Sequence, residues 1–160
     1  MKVERQGPLE CMLATIAALA GRPLVDVRGA ALAFTHAITG WKYSTWADTF
    51  DEYDGARVYW QAVDAVAYQF GGFALVALVA KSSPLLAGAP ENASVITIRN
   101  PNRRRRLPSF GRGIIRVRGR AGTHIMPWEN GLIYDPGFPD HPKNLAEYRA
   151  MFAVKVLTIR

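Results

Sequence analysis

Apolar residues change their spacing at Gly71, and this switch limits the fold more than any other feature of the chain. Upstream, "CMLATIAALA", "PLVDVRGAALAF" and "ARVYWQAVDAVAYQF" repeat apolar positions at the interval of an amphipathic helix. Downstream, "FALVALVA", "SVITIRN", "GIIRVRG", "THIMPW", "GLIYDPG" and "AVKVLTIR" are short and rich in Val, Ile and aromatics. Gly, Pro and Asn bound them, as they bound strands. Helices first and strands afterwards predict an α+β domain, with the helices packed beside a mainly antiparallel sheet. A chain of 160 residues is expected to form one domain, 1–160, with a core that needs no disulfide or metal.

Local signals sharpen this outline. Pro8 is placed to open the first helix, and Gly21 with Pro23 to close it. A second, shorter helix is expected in "PLVDVRGAALAF", and a helical piece of ambiguous type over Asp48 to Tyr53. The third helix, Ala56 to Phe70, carries Val58, Ala62, Ala65, Val66 and either Gln69 or Phe70 on one stripe. "LAEYRAMF" reads as a short helix before the last strand. The rings of Trp41–Trp60 serve either as core or as the lining of a groove between helices and sheet.

The net charge of +7 is concentrated in "RNPNRRRRLPSFGRGIIRVRGR", Arg99 to Arg120. Arg103, Arg104, Arg105 and Arg106 suit an anionic partner, whether nucleic acid, an acidic membrane surface or an acidic protein. The same block also reads as a solvated loop followed by a strand whose outward face is Arg. No recognised nucleic-acid motif accompanies it. No apolar run approaches the roughly 20 residues of a membrane span. Lys2, Arg5 and the apolar Cys11–Ala20 imitate a secretion signal, but Glu4, Pro8 and Glu10 interrupt it. A retained helix in a cytoplasmic protein is the expectation.

The single cysteine, Cys11, excludes an internal disulfide and a Cys-rich zinc site. It falls in the first turn of the first helix, where unpaired N–H groups and the positive end of the helix dipole favour an anion. The thiolate is the nucleophilic form of this side chain. Taken alone, a Cys in an apolar helix packs as a small hydrophobe. A base gives it another meaning. Of the three histidines, His36 lies at a helix end or loop and His141 in a Pro-rich surface turn. His124 lies in "AGTHIMPWENGLIYDPG", where Asn130-Gly131 marks the two-residue turn of a hairpin. That register sets Glu129 against Leu132, Trp128 against Ile133, Pro127 against Tyr134 and Met126 against Asp135. His124 and Asp135 then become diagonal neighbours on one face, roughly 7–8 Å apart. Asp135 can hold the ring by one nitrogen and leave the other for a thiol. Pro127 is compatible with this at an edge or bulge. Gln6, just upstream of Cys11, reads as an exposed loop residue or as a second donor, beside the Cys11 N–H, for an oxyanion.

These residues resemble a family. The spacing Q-x4-C-x2-A-x2-A-x-L-x-G-x-P-L-x-D-V, with the later "GIIRVRGRAGTHIMPWENGLIYDPG", is similar to papain-like cysteine peptidases of the C39-like group. The resemblance implies a papain-like α+β fold, with N-terminal helices carrying the Cys and a mainly antiparallel sheet carrying the His and Asp. It implies Cys11 as nucleophile, His124 as base, Asp135 as orienting acid and Gln6 as oxyanion donor. A peptide or protein is the implied substrate, with no metal or organic cofactor. This chain has Met12 where the family commonly has Gly, and Glu10 where it often has Asp.

Overall fold

The computed structural model of the chain describes residues 1–50, 55–71, 93–98, 107, 109–119, 122–148 and 153–159. Helices α1 (Cys11–Ala20), α2 (Leu24–Thr39) and α3 (Gly55–Gly71) come first. Strands β1 (Ala93–Ile98), β2 (Arg112–Gly119), β3 (Gly122–Glu129), β4 (Leu132–Ile133) and β5 (Ala153–Ile159) follow. The five strands form one sheet in the order β1-β5-β2-β3-β4, antiparallel throughout. The chain is an α+β protein. "FALVALVA" and Arg103–Arg106 lie outside the described residues.

Several elements differ from their expected bounds. Helix α1 begins at Cys11 rather than Pro8, because Gly7–Glu10 close a turn of their own through Glu10 N–H to Gly7 C=O, 3.3 Å. At its other end, Gly21 and Arg22 N–H groups donate to the carbonyls of Ala18 and Ala17. Helix α2 is 16 residues, longer than expected, since Leu24, Val27, Ala31 and Thr35 keep one buried stripe running through it. On α3 the buried stripe is Ala62, Val63, Val66 and Ala67, while Ala65 is half-buried and Gln69 exposed. The ambiguous piece is a 3-10 turn over Ala47–Phe50, and "LAEYRAMF" contributes another over Leu145–Tyr148. Of the described rings near residue 41, Trp46 is core and Trp41 is 56% exposed.

Both faces of the sheet are covered. Ile114 and Ile125 meet the helices through Leu13, Ile16, Val27, Val63 and Val66. Ile115, Val117, Met126, Trp128 and Ile133 point the other way and pack with Leu107 and Leu145. The period-2 alternation of a strand therefore divides one sheet between two cores. Arg112 and Arg116 alternate with Ile114 on the helix side of the sheet, where Arg112 remains exposed and Arg116 half-buried, while the second core occupies the opposite face. Arg112 Nη1 donates to the Leu19 carbonyl at 3.3 Å, near the C-terminal end of α1 where a cation is favoured.

The hairpin turn is as read: Asn130 and Gly131 both have positive φ, 49° and 84°, the mirror-image turn that matches strand twist. Strand β4, however, is only Leu132–Ile133, and Pro127 explains the shortness. In an antiparallel strand one residue's N–H and C=O face the same edge. The Pro127 carbonyl accepts the Tyr134 N–H at 3.0 Å, so its nitrogen also faces β4 and has no hydrogen to return. The ladder ends there, and beyond it the edge of β3 lies open. Ile125 presents its carbonyl to that edge. The Thr15 hydroxyl of α1 lies 3.2 Å from it and 2.7 Å from the Cys11 carbonyl. Thus the N-terminal part of α1, not another strand, covers β3 beside His124.

Candidate active site

Cys11 is the first residue of α1 and is half-buried. No side chain caps this helix N-terminus. Glu10, at the capping position, instead turns its buried carboxylate back: it accepts the Gly7 N–H at 2.7 Å and a two-pronged grip from Arg28 Nε and Nη2. A side chain on Gly7 would place its first carbon 2.8 Å from Glu10 Oε2 and push that carboxylate out of its present grip. Leu9, between them, has φ 57°, a conformation that costs a branched residue roughly 1–3 kcal/mol. The bonds at Gly7 and Arg28 hold the strained turn in place. Gln6 N–H donates to the Pro136 carbonyl at 3.1 Å, which ties the segment before Cys11 to the segment carrying Asp135.

His124 lies on β3 with its side chain 30% exposed, and its Nε2 is 2.8 Å from Asp135 Oδ1. A carboxylate only accepts, so Nε2 carries the hydrogen. Asp135 hydrogen-bonds the ring, and the Cys11 thiol lies near enough to raise the ring's proton affinity. With Nε2 engaged by Asp135, Nδ1 is the nitrogen left for Cys11. The structure thus brings Cys11, His124 and Asp135 together from three separate segments. Gln6 is brought to the same place by its backbone, and its buried Oε1 has no hydrogen-bond partner among the described residues. His36 and His141 are exposed and lie elsewhere, His36 in the last turn of α2.

Electrostatics follows from this placement. Burial alone lowers the His124 pKa, but the hydrogen bonds to Asp135 and then Cys11, with their charges, outweigh it and raise it to about 9. Burial likewise pushes Asp135 up, and the bonds from His124 and Gly137 N–H, with the imidazolium charge, bring it down to about 2. Ordinary values are about 6.5 and 3.9. A raised histidine contributes stability that is complete below about pH 6.5 and lost as pH climbs through 9. A depressed aspartate contributes stability that is complete above its ordinary value and lost as pH falls through about 2. The stability gap between wild type and Asp135→Asn should therefore be widest between about pH 4 and 6.5 and narrow on both sides. Urea unfolding at a series of pH values measures it; a gap independent of pH contradicts the ion pair.

Some supporting residues were not evident from the sequence. Tyr148 Oη donates to Asp135 Oδ2 at 3.0 Å, and Lys143 Nζ is 3.7 Å from the same oxygen. Arg28, eighteen residues beyond Glu10, neutralises the carboxylate next to Cys11. No motif spacing marks any of them. Among the described residues, no cluster of His, Cys, Asp and Glu could hold a metal ion. No described helix is long and apolar enough to cross a membrane.

Comparison with family models, curated proteins and solved structures gives no match. The chain is thus described by its own geometry: an α+β protein with a helix-borne thiol, a strand-borne imidazole and a buried carboxylate brought near one another.

Proposed function

We propose that this chain is a papain-like cysteine hydrolase, similar to the C39-like peptidases, that cleaves a peptide or amide bond through Cys11, His124 and Asp135. What carries this reading is the imidazole held by Asp135 beside the Cys11 thiol. His124, with its Nε2 hydrogen on Asp135, receives the thiol proton at Nδ1 and is kept by Asp135 as the imidazolium beside the sulfur. The sulfur attacks the carbonyl carbon, and the resulting oxyanion meets the Cys11 N–H and the Gln6 side-chain amide. As the C–N bond breaks, the imidazolium returns its proton to the departing amine. A thioester remains on Cys11. His124 then deprotonates a water that attacks the thioester; the acid leaves and the thiol is restored.

Resolution by an amine in place of water would make the same site a transferase, so products must be identified. The protein is incubated with a peptide library and with side-chain amide donors, quenched in acid and weighed intact. The expected result is an acyl adduct on Cys11 and hydrolysed product, both absent from Cys11→Ala. Full turnover by that variant would overturn the covalent mechanism.

A further inference from the structure

Asp135 is the most heavily bonded side chain of the site, and its two oxygens do different work. Oδ1 accepts from His124 Nε2 at 2.8 Å and from Gly137 N–H at 2.9 Å. Oδ2 accepts from Tyr148 Oη at 3.0 Å and lies 3.7 Å from Lys143 Nζ. A carboxylate rotates about its terminal torsion with little resistance, since that torsion is broad. Gly137 and His124 both act on Oδ1 and leave that rotation open. A donor on Oδ2 closes it.

Tyr148 is well placed for the task. It ends the 3-10 turn Leu145–Tyr148, which Leu145 anchors in the second core and which reciprocal bonds between Asn144 and Glu147 brace. The turn is joined to β4 by a backbone bridge between Ile133 and Lys143, 2.8 Å in each direction. Burial, then the Asp135 charge, push the Tyr148 phenol above its ordinary range, so it remains a donor at any working pH. Lys143 is less directional: its ammonium also sits over the Phe138 ring at 4.1 Å and near that of Tyr148 at 5.7 Å.

We infer that Tyr148 is a positioning residue, whose hydroxyl locks the Asp135 carboxylate so that Oδ1 holds the His124 ring with its other nitrogen toward Cys11. This rests on the reading of Cys11, His124 and Asp135 as a working triad.

The sign of one measurement separates positioning from simple charge stabilisation. A donor that merely drains charge from Asp135 weakens the carboxylate as a partner, and its loss should raise the His124 pKa. A donor that fixes orientation strengthens the His124–Asp135 bond, and its loss should lower it. The groups facing the pair are Cys11, Lys143, Tyr148 and, behind Tyr148, Glu147. The His124 ring is titrated by NMR in wild type, Tyr148→Phe and Lys143→Met. In Tyr148→Phe the His124 pKa should fall by about one unit, a tenfold change in its proton affinity. In Lys143→Met the His124 pKa should stay or rise, as expected on removal of a nearby cation. A Tyr148→Phe pKa equal to or above that of wild type overturns the inference. The titration needs no turnover. Failure of the triad reading registers separately, as a wild-type Cys11 whose alkylation at pH 6 ignores His124→Ala.

Discussion

Iodoacetamide at pH 6 is expected to alkylate Cys11 in the native protein about 100-fold faster than in His124→Ala, the scale of a positioned base. An isolated thiol is largely protonated at that pH and reacts slowly. The native site differs because the ring next to Cys11 is itself held by Asp135. In the proposed mechanism His124 takes the proton from sulfur, and Asp135 stabilises the imidazolium. Half-burial of Cys11 still admits a small reagent. The comparison must be made on folded protein, with circular dichroism of the variant matching that of wild type. Equal rates would remove the base from the mechanism while leaving the fold untouched.

The second large effect is on stability. Arg28→Ala should destabilise the protein by about 2 kcal/mol, below the roughly 3–5 kcal/mol for breaking a fully buried pair. The discount reflects the Arg28 side chain, which is 35% exposed, against 7% for Glu10. What remains after the change is a carboxylate in a dry position with only the Gly7 N–H beside it. For a chain of this size such a loss lowers the melting temperature by about 4–8 °C. The double change Glu10→Gln, Arg28→Met removes both charges and should recover much of the loss, since the penalty lies in the orphaned anion. Calorimetry of the three variants decides it; a double variant less stable than Arg28→Ala would show that the pair itself is the source of stability.

Much of this site could be read along the chain because its signals are local. The Asn130-Gly131 turn fixes the register as far as Tyr134, and Asp135, one residue past the end of that pairing, still meets His124. Cys11 at a helix start is likewise a short-range pattern. The support around them is not local. Tyr148 reaches Asp135 only after the chain turns at Pro136-Gly137 and is pinned by the Ile133–Lys143 bridge. Arg28 meets Glu10 only because α2 packs against α1. The misjudged start of α1 has a related cause. Pro8 favours a helix's first turn or the second position of a tight turn equally well, and the Glu10 carboxylate, secured by Arg28, selects the latter.

Pro127 carries a wider lesson about where a reactive centre can be built. Sheets propagate because each residue hands a hydrogen to the next chain, and an imino acid breaks that exchange at one edge only. Here the missing hydrogen unzips the hairpin short of Asp135, so a helix bearing sulfur can dock where a neighbouring strand would otherwise run. The site is, in this sense, an unfinished seam: one absent proton on a ring nitrogen makes room for a thiol, an imidazole and a carboxylate to meet.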